Sequence, residues 1–401
     1  MKSPVMQFFA LALLAAGVFF LSLWGLNAYN AYQHSLMSPT TRITQALEGI
    51  AHTSTNKSGE KKIVYGFLPY WNMKTAQIPQ TLTHVGYFSI SIDAKGNIVT
   101  RESTYTEPGW NTYNSANFDK LRDTTTAQGQ KLEVLITMMD ADEISEFLLD
   151  KTAQDNFQTT LRTFVKSQPV DGINIDVEYA GEVTQQLRDA YTSYIIATNK
   201  TLEAVDPDIH LSIDVFADTA QKKRIWDIPA LAPHLDHIVV MTYDFFRSSS
   251  PQSGPVAPVF GSEKDRWDTD IVENLKLFIQ QAPPEKILLG IPFYGYEWRT
   301  VSETPGSPTY PKSGEVATYK RVTQLIKDEG LQEQWDADAL SPYITYNLNG
   351  QIQTIFYENS RSLSYKLDLV NHTDLGGIAI WALGYEGTTN ELWDVIGQKL
   401  K

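Results

Sequence analysis

From residue 62 onward, short runs rich in β-branched and aromatic residues alternate with longer amphipathic stretches, and this alternation limits the possible folds more than any other feature. The runs fall at 63–70, 83–92, 131–138, 170–179, 210–217, 237–246, 287–298 and 376–386. Strand runs separated by helix-compatible stretches read as βα units with a parallel sheet. Eight such strands fit a closed barrel better than an open sheet, so the expected fold class is α/β, a (β/α)8 TIM barrel. Extra sequence at about 299–358 separates the seventh and eighth runs. It holds a helical stretch near 316–327 and a hairpin pattern turning at Asn349-Gly350, which together read as a small α+β insertion on the rim.

The N-terminal end follows a different rule. No Lys, Arg, Asp or Glu lies between Lys2 and Arg42, and residues 8–26 are apolar apart from Ser22. A helix of that length is about 28 Å long, close to the hydrocarbon thickness of a bilayer. With Lys2 as the nearby positive side chain, the N-terminus is expected in the cytoplasm and the remainder outside. A cleaved signal peptide is the rival reading, but its apolar region is usually shorter and Leu26-Asn27-Ala28 is a poor cleavage site. The expected organisation is a transmembrane signal anchor at 1–27, a polar linker at 28–61 and a catalytic barrel at 62–401.

Composition narrows the chemistry. The 401 residues carry 47 acidic and 33 basic side chains, a net charge of −14, so nucleic acid is excluded as an expected partner. There is no cysteine, hence no disulfide, thiolate nucleophile or sulfur-ligated zinc. The seven histidines show no HExxH or similar spacing, and no metal or cofactor is expected. A monomer is expected.

Most informative is the segment Asp171-Gly172-Ile173-Asn174-Ile175-Asp176-Val177-Glu178. Ile173, Ile175 and Val177 alternate with Asn174, Asp176 and Glu178, so in a strand the three polar side chains share a face. A half-exposed antiparallel strand alternates in the same way. A barrel strand, however, is covered by helices outside and side chains inside. If the apolar set meets the helices, the acids point into the barrel and end at its C-terminal mouth. Two carboxylates stacked there are costly unless one retains a proton, which is what a general acid requires.

This segment resembles the D-G-x-D-x-D-x-E signature of glycoside hydrolase family 18, with Asn174 in place of the middle Asp. Met241-Thr242-Tyr243-Asp244, Gly290-Ile291-Pro292-Phe293-Tyr294-Gly295 and the strand from Gly376 to Gly384 around Trp381 are similar to further motifs of that family, in the same order. The resemblance covers about 62–401. It implies a retaining hydrolase of N-acetylglucosamine-containing polysaccharides in which the substrate's own 2-acetamido oxygen is the nucleophile. On this reading Glu178 is the general acid, and Asp176 and Tyr243 are catalytic residues that hold the acetamido group and its developing positive charge. Asp244, Asn174, Asp171 and Tyr294 are implied to bind the sugar, with Trp381 as an apolar floor. Tyr70, Trp71, Tyr296, Trp298 and Tyr385 sit at or near strand ends and are candidate sugar platforms.

Two departures refine the expectation. Strand three reads Val134-Leu135-Ile136-Thr137-Met138-Met139-Asp140 where typical chitinases carry S-x-G-G. With Asn174, this resembles the branch of spore-cortex and cell-wall N-acetylglucosaminidases and shifts the expected substrate toward peptidoglycan. Because Asn174 removes one acid from the strand, Asp176 is expected to ionise more readily, with the Asn174 amide holding its carboxylate. The competing function is a catalytically weak, lectin-like glycan binder on the same fold, which the presence of Glu178 disfavours. A membrane-tethered scaffold ranks behind both.

Overall fold

The computed structural model describes residues 39–47, 61–261 and 267–400, with positions 17 and 20. The expected membrane-spanning helix at 8–26 therefore lies, those two positions aside, outside the described residues. Among the described residues no helix is long and apolar enough to cross a membrane. A short helix, Pro39–Ala46, forms within the segment read as a linker.

Eight parallel strands close into a barrel in chain order: β1 (Ile63–Pro69), β2 (His84–Ser91), β3 (Lys131–Met138), β4 (Gly172–Val177), β5 (His210–Phe216), β6 (His237–Met241), β7 (Ile287–Pro292) and β8 (Gly377–Trp381), the last returning to β1. Helices occupy the connections, among them Lys151–Ser167 between β3 and β4 and Gln185–Glu203 between β4 and β5. Their starts are fixed by short polar side chains. Asp150 accepts from the Thr152 amide and Thr184 from that of Leu187, each satisfying a donor that a helix leaves unpaired at its first turn.

The strands bury both faces, as a barrel demands. Tyr65, Phe67, Leu135, Val239, Leu288 and Ala379 form one inward-facing cluster, while Ile173, Ile175 and Val177 are fully buried on the other face of β4. In register, Leu135, Asn174 and Ser212 lie side by side across β3, β4 and β5. Gly86 belongs to this interior packing, because a Cβ there would stand 2.2 Å from the Tyr65 hydroxyl.

The insertion begins earlier than the sequence suggests. The seventh run is two strands, not one: after β7 the chain breaks at Phe293, and Tyr294–Arg299 joins the antiparallel five-stranded sheet of the rim lobe. Pro292 has no N–H with which to continue the ladder. The Phe293 amide bonds across to the Trp381 carbonyl at 2.7 Å, and its own carbonyl receives the Tyr319 amide at 2.9 Å. The lobe helix spans Tyr319–Glu329 and ends on Gly330 at φ 62°. Asn349 and Gly350, both at positive φ, turn the hairpin between Ser341–Leu348 and Gln351–Phe356.

Candidate active site

The polar face of β4 points inward as alternation requires. Asn174 is completely buried and Asp176 is 3% exposed. Glu178 lies just past the strand, tied by its amide to the Met138 carbonyl at 3.0 Å, so its half-buried side chain stands at the C-terminal mouth. Beside it, on the same rim, a cavity of about 630 Å³ is lined by Ser91, Thr137, Met138, Met139 and Asp140 among others.

A third acid enters from the neighbouring strand. Asp214, 3% exposed, is the inward residue of β5 in the layer of Asp176, because Ile175 pairs with Ile213. Asn174 donates to Asp214 Oδ1 at 2.9 Å and to Ser212 Oγ at 3.0 Å. This corrects the expected role of Asn174: its amide holds Asp214, not Asp176. Nor is Asp176 left without a second acidic neighbour, the premise of its expected easier ionisation, since Asp214 stands in its layer. Burial, then Asp214 and Glu178, hold its carboxyl well above the usual carboxylate range. Burial likewise raises Asp214, with the Asn174 hydrogen bond opposing. Two adjacent buried carboxyls cannot both ionise cheaply, so the pair retains a proton. The acid missing at position 174 is thus replaced from another strand.

Glu178 is raised as well, first by burial and then by Asp244, while Arg247 pulls the other way. The shift favours the protonated form, which is the form a general acid requires. Tyr243 lies among Asp214, Glu178, Asp176 and Asp244; burial and these carboxylates keep its phenol protonated and able to donate. Asp244 adopts φ 61° and accepts from the hydroxyls of both Tyr294 and Tyr296, the latter at 2.9 Å. Trp381 closes β8, half-buried, its ring 5.7 Å from Phe67 and edge-on to Phe88 at 4.7 Å. Phe88 in turn meets Trp71 at 5.9 Å, and Trp71 meets Tyr70 at 4.9 Å. This aromatic row lines the β1–β2–β8 side of the mouth, with Trp71 49% exposed.

Glu178, Asp176, Asn174, Tyr243, Asp244, Tyr294, Trp381, Tyr70 and Trp71 therefore gather at one end of the barrel. Asp171 does not. It precedes β4 at the opposite end, about 23 Å from Glu178 at strand rise, where it pairs with Lys131 at 3.1 Å and accepts the Leu132 amide at 2.8 Å. Its place is structural, not in the sugar site. Trp298 is also withdrawn from the platform candidates, being fully buried with its indole N–H on the Arg247 carbonyl at 3.2 Å. Asp214 lies outside all four motifs that resemble the family. The alternation of Leu211, Ile213 and Val215 with Ser212 and Asp214 was the signal that pointed to it.

The sign of the pH effect follows. A buried carboxyl with a raised folded value stabilises the fold most when protonated, below its unfolded value, and loses that contribution as pH rises through the folded one. Asp214→Asn is therefore expected to melt higher than the parent at pH 8, with the gap shrinking at pH 4, while turnover drops by about tenfold or more. Thermal melts of both proteins at the two pH values check this. A lower melting temperature for the variant at pH 8 would contradict it.

Residues 53–386 match the model of the family described as Glycosyl hydrolases family 18. Human di-N-acetylchitobiase is 26% identical over 258 residues, covering 59% of this chain and 66% of that protein, so about a third of its length has no counterpart in the match. The cortical fragment-lytic enzyme of Bacillus subtilis is 24% identical over 323 residues, covering 78% and 67%. Among solved structures, the Group IV chitinase of Ostrinia furnacalis superposes with a TM-score of 0.73 at 22% identity, over 84% of this chain and 99% of that one, a likeness of fold. Together with the acid-lined barrel mouth, the family match places this chain among the glycosyl hydrolases of family 18.

Proposed function

We propose that the protein is a retaining glycosidase that cleaves β-1,4 bonds of N-acetylglucosamine-containing glycans by substrate-assisted catalysis. The observation that carries the reading is the inward ladder of carboxyls, Asp214 and Asp176 buried and Glu178 at the mouth, each held above the ordinary carboxylate range by burial and by its acidic neighbours. Glu178 protonates the leaving glycosidic oxygen, and its carboxylate then takes the proton of the incoming water. Asp176 accepts the acetamido N–H and stabilises the positive charge of the oxazolinium intermediate, and the Tyr243 hydroxyl donates to the acetamido oxygen. With the acetamido group as nucleophile, one protein acid suffices. Asp244 and the tyrosines bonded to it hold sugar hydroxyls, and Trp381 packs against the apolar face of the ring.

Within this class the reading favours peptidoglycan over chitin, on the strand-three sequence, Asn174 and the likeness to a cortical fragment-lytic enzyme. Purified peptidoglycan and soluble chitin oligomers digested side by side, with product masses read out, decide it. Faster release of muropeptides is expected; exclusive cleavage of chitin oligomers would reverse the preference, and binding without any cleavage would favour a lectin-like role.

The apolar run at 8–26, flanked by Lys2, supports a further proposal: a single-pass anchor that leaves the barrel outside the membrane. On cell fractionation the full-length chain is expected with the membranes. A soluble form starting near Tyr29 would show cleavage instead.

A further inference from the structure

At the end of the barrel opposite the acids, the first residues of β2, β5 and β6 are all histidines. His84, His210 and His237 each bring a ring nitrogen to within 4.8 Å of the others. Their ring centroids form a near-equilateral triangle, 5.9 Å between His84 and His210, 5.7 Å between His84 and His237 and 6.0 Å between His210 and His237. Ligand nitrogens around a tetrahedral zinc stand about 3.4 Å apart, so closure requires side-chain shifts of about an ångström.

One nitrogen of each ring makes no hydrogen bond. His84 Nε2, His210 Nδ1 and His237 Nδ1 are each buried without a hydrogen bond, a costly arrangement for polar atoms. His84 itself is 7% exposed. Thr83 Oγ1 lies 2.8 Å from His84 Nδ1 and 3.2 Å from the Val64 carbonyl. With the Thr83 proton on Val64, His84 Nδ1–H donates to Thr83 and Nε2 keeps its lone pair, the outer-shell support that metal-binding histidines usually have. A carboxylate is also in place. Glu133 is completely buried beside the Tyr65 hydroxyl, its Oε2 accepts from Ser212 at 3.0 Å, and its Oε1 lies 3.8 Å from His210 Nδ1.

We propose that His84, His210 and His237 form a binding site for a divalent first-row transition metal such as zinc, with Glu133 as the buried anion beside it. Three imidazoles are a donor set suited to zinc, copper or nickel and poorly suited to calcium or magnesium. The surrounding charges are accommodated. Lys131 is paired with Asp171, Lys286 gives its protons to the Ala232 and Leu235 carbonyls, and Asp236 adds a further negative charge near His237. Because the cluster sits at the strand starts and Glu178 beyond a strand end, about 20 Å separates this site from the mouth. The metal ties β2 to β5 and β6 across the barrel floor and takes no part in hydrolysis.

The test uses the full chain stripped with a chelator, titrated with zinc chloride in a calorimeter and with cobalt chloride by visible absorption. One equivalent of zinc is expected, together with the intense visible bands of four-coordinate cobalt and a rise in melting temperature. His84→Gln and His237→Gln should each weaken zinc binding by about 100-fold or more, and Glu133→Gln by about 10-fold or more, while glycan turnover of the two histidine variants stays that of the parent. His210→Gln, whose parent side chain is 30% exposed, repeats the measurement if a variant fails to fold. No zinc uptake by the parent chain, octahedral cobalt spectra, or unchanged affinity in the histidine variants would overturn the proposal.

Discussion

Replacing Glu178 with Gln is expected to lower glycan turnover by about 10² to 10⁴ while glycan binding and the melting temperature stay near those of the parent. The isostere keeps the volume and one acceptor at the mouth but has no transferable proton. The environment makes the effect large: the side chain is half-buried at the end of β4, and burial and Asp244 favour its protonated form. The same environment sets the pH dependence. Turnover should fall as pH rises through the raised Glu178 value, and the alkaline limb should be absent from the residual activity of the variant. Steady-state rates across pH, with binding followed separately, check both. Turnover near that of the parent would remove Glu178 from the catalytic role.

The second large effect concerns the substrate. Oligosaccharides of the same linkage without a 2-acetamido group are expected to give no product above background, even at high enzyme concentration. The reason lies in the disposition of the acids. Asp176 and Asp214 are buried deep in the barrel, and the electrostatics favour a shared proton between them, so neither is a free, exposed carboxylate ready to attack an anomeric carbon. On the proposed mechanism the nucleophile comes with the sugar. Paired assays on N-acetylated and de-N-acetylated chito-oligomers isolate the requirement, and cleavage of both at similar rates would refute it.

The sequence disclosed the parts of the protein governed by short-range periodicity. Alternation along 173–178 sets one face of β4 inward, and the structure places Asn174 and Asp176 in the barrel as that period requires. Asp171 joins the sugar-site candidates only through the motif resemblance, and a motif does not say which of its residues reach the mouth: Asp171 lies a full strand length from Glu178. Contacts between strands were least legible. Asn174 turns to Asp214 and Ser212 on β5, and the electrostatics of Asp176 depend on that neighbour. The three histidines are far apart in sequence and meet only because β2, β5 and β6 each begin with one around a closed barrel. A search for ligand spacing along the chain has no access to that ring. The early start of the rim lobe was hidden for a related reason: Tyr294–Arg299 continues the apolar, aromatic run of β7, and only Pro292 marks the change of sheet.

The stereochemistry of the product tests the central claim most directly. Proton NMR of the first-formed anomer during cleavage of a β-linked N-acetylglucosamine oligomer distinguishes the mechanisms within minutes, before mutarotation. Attack by the acetamido oxygen followed by water gives two inversions, so the β anomer should appear first and drift toward equilibrium. An α anomer appearing first would mean a single displacement by water, and would contradict the assignment of Glu178, Asp176 and Tyr243 to substrate-assisted hydrolysis.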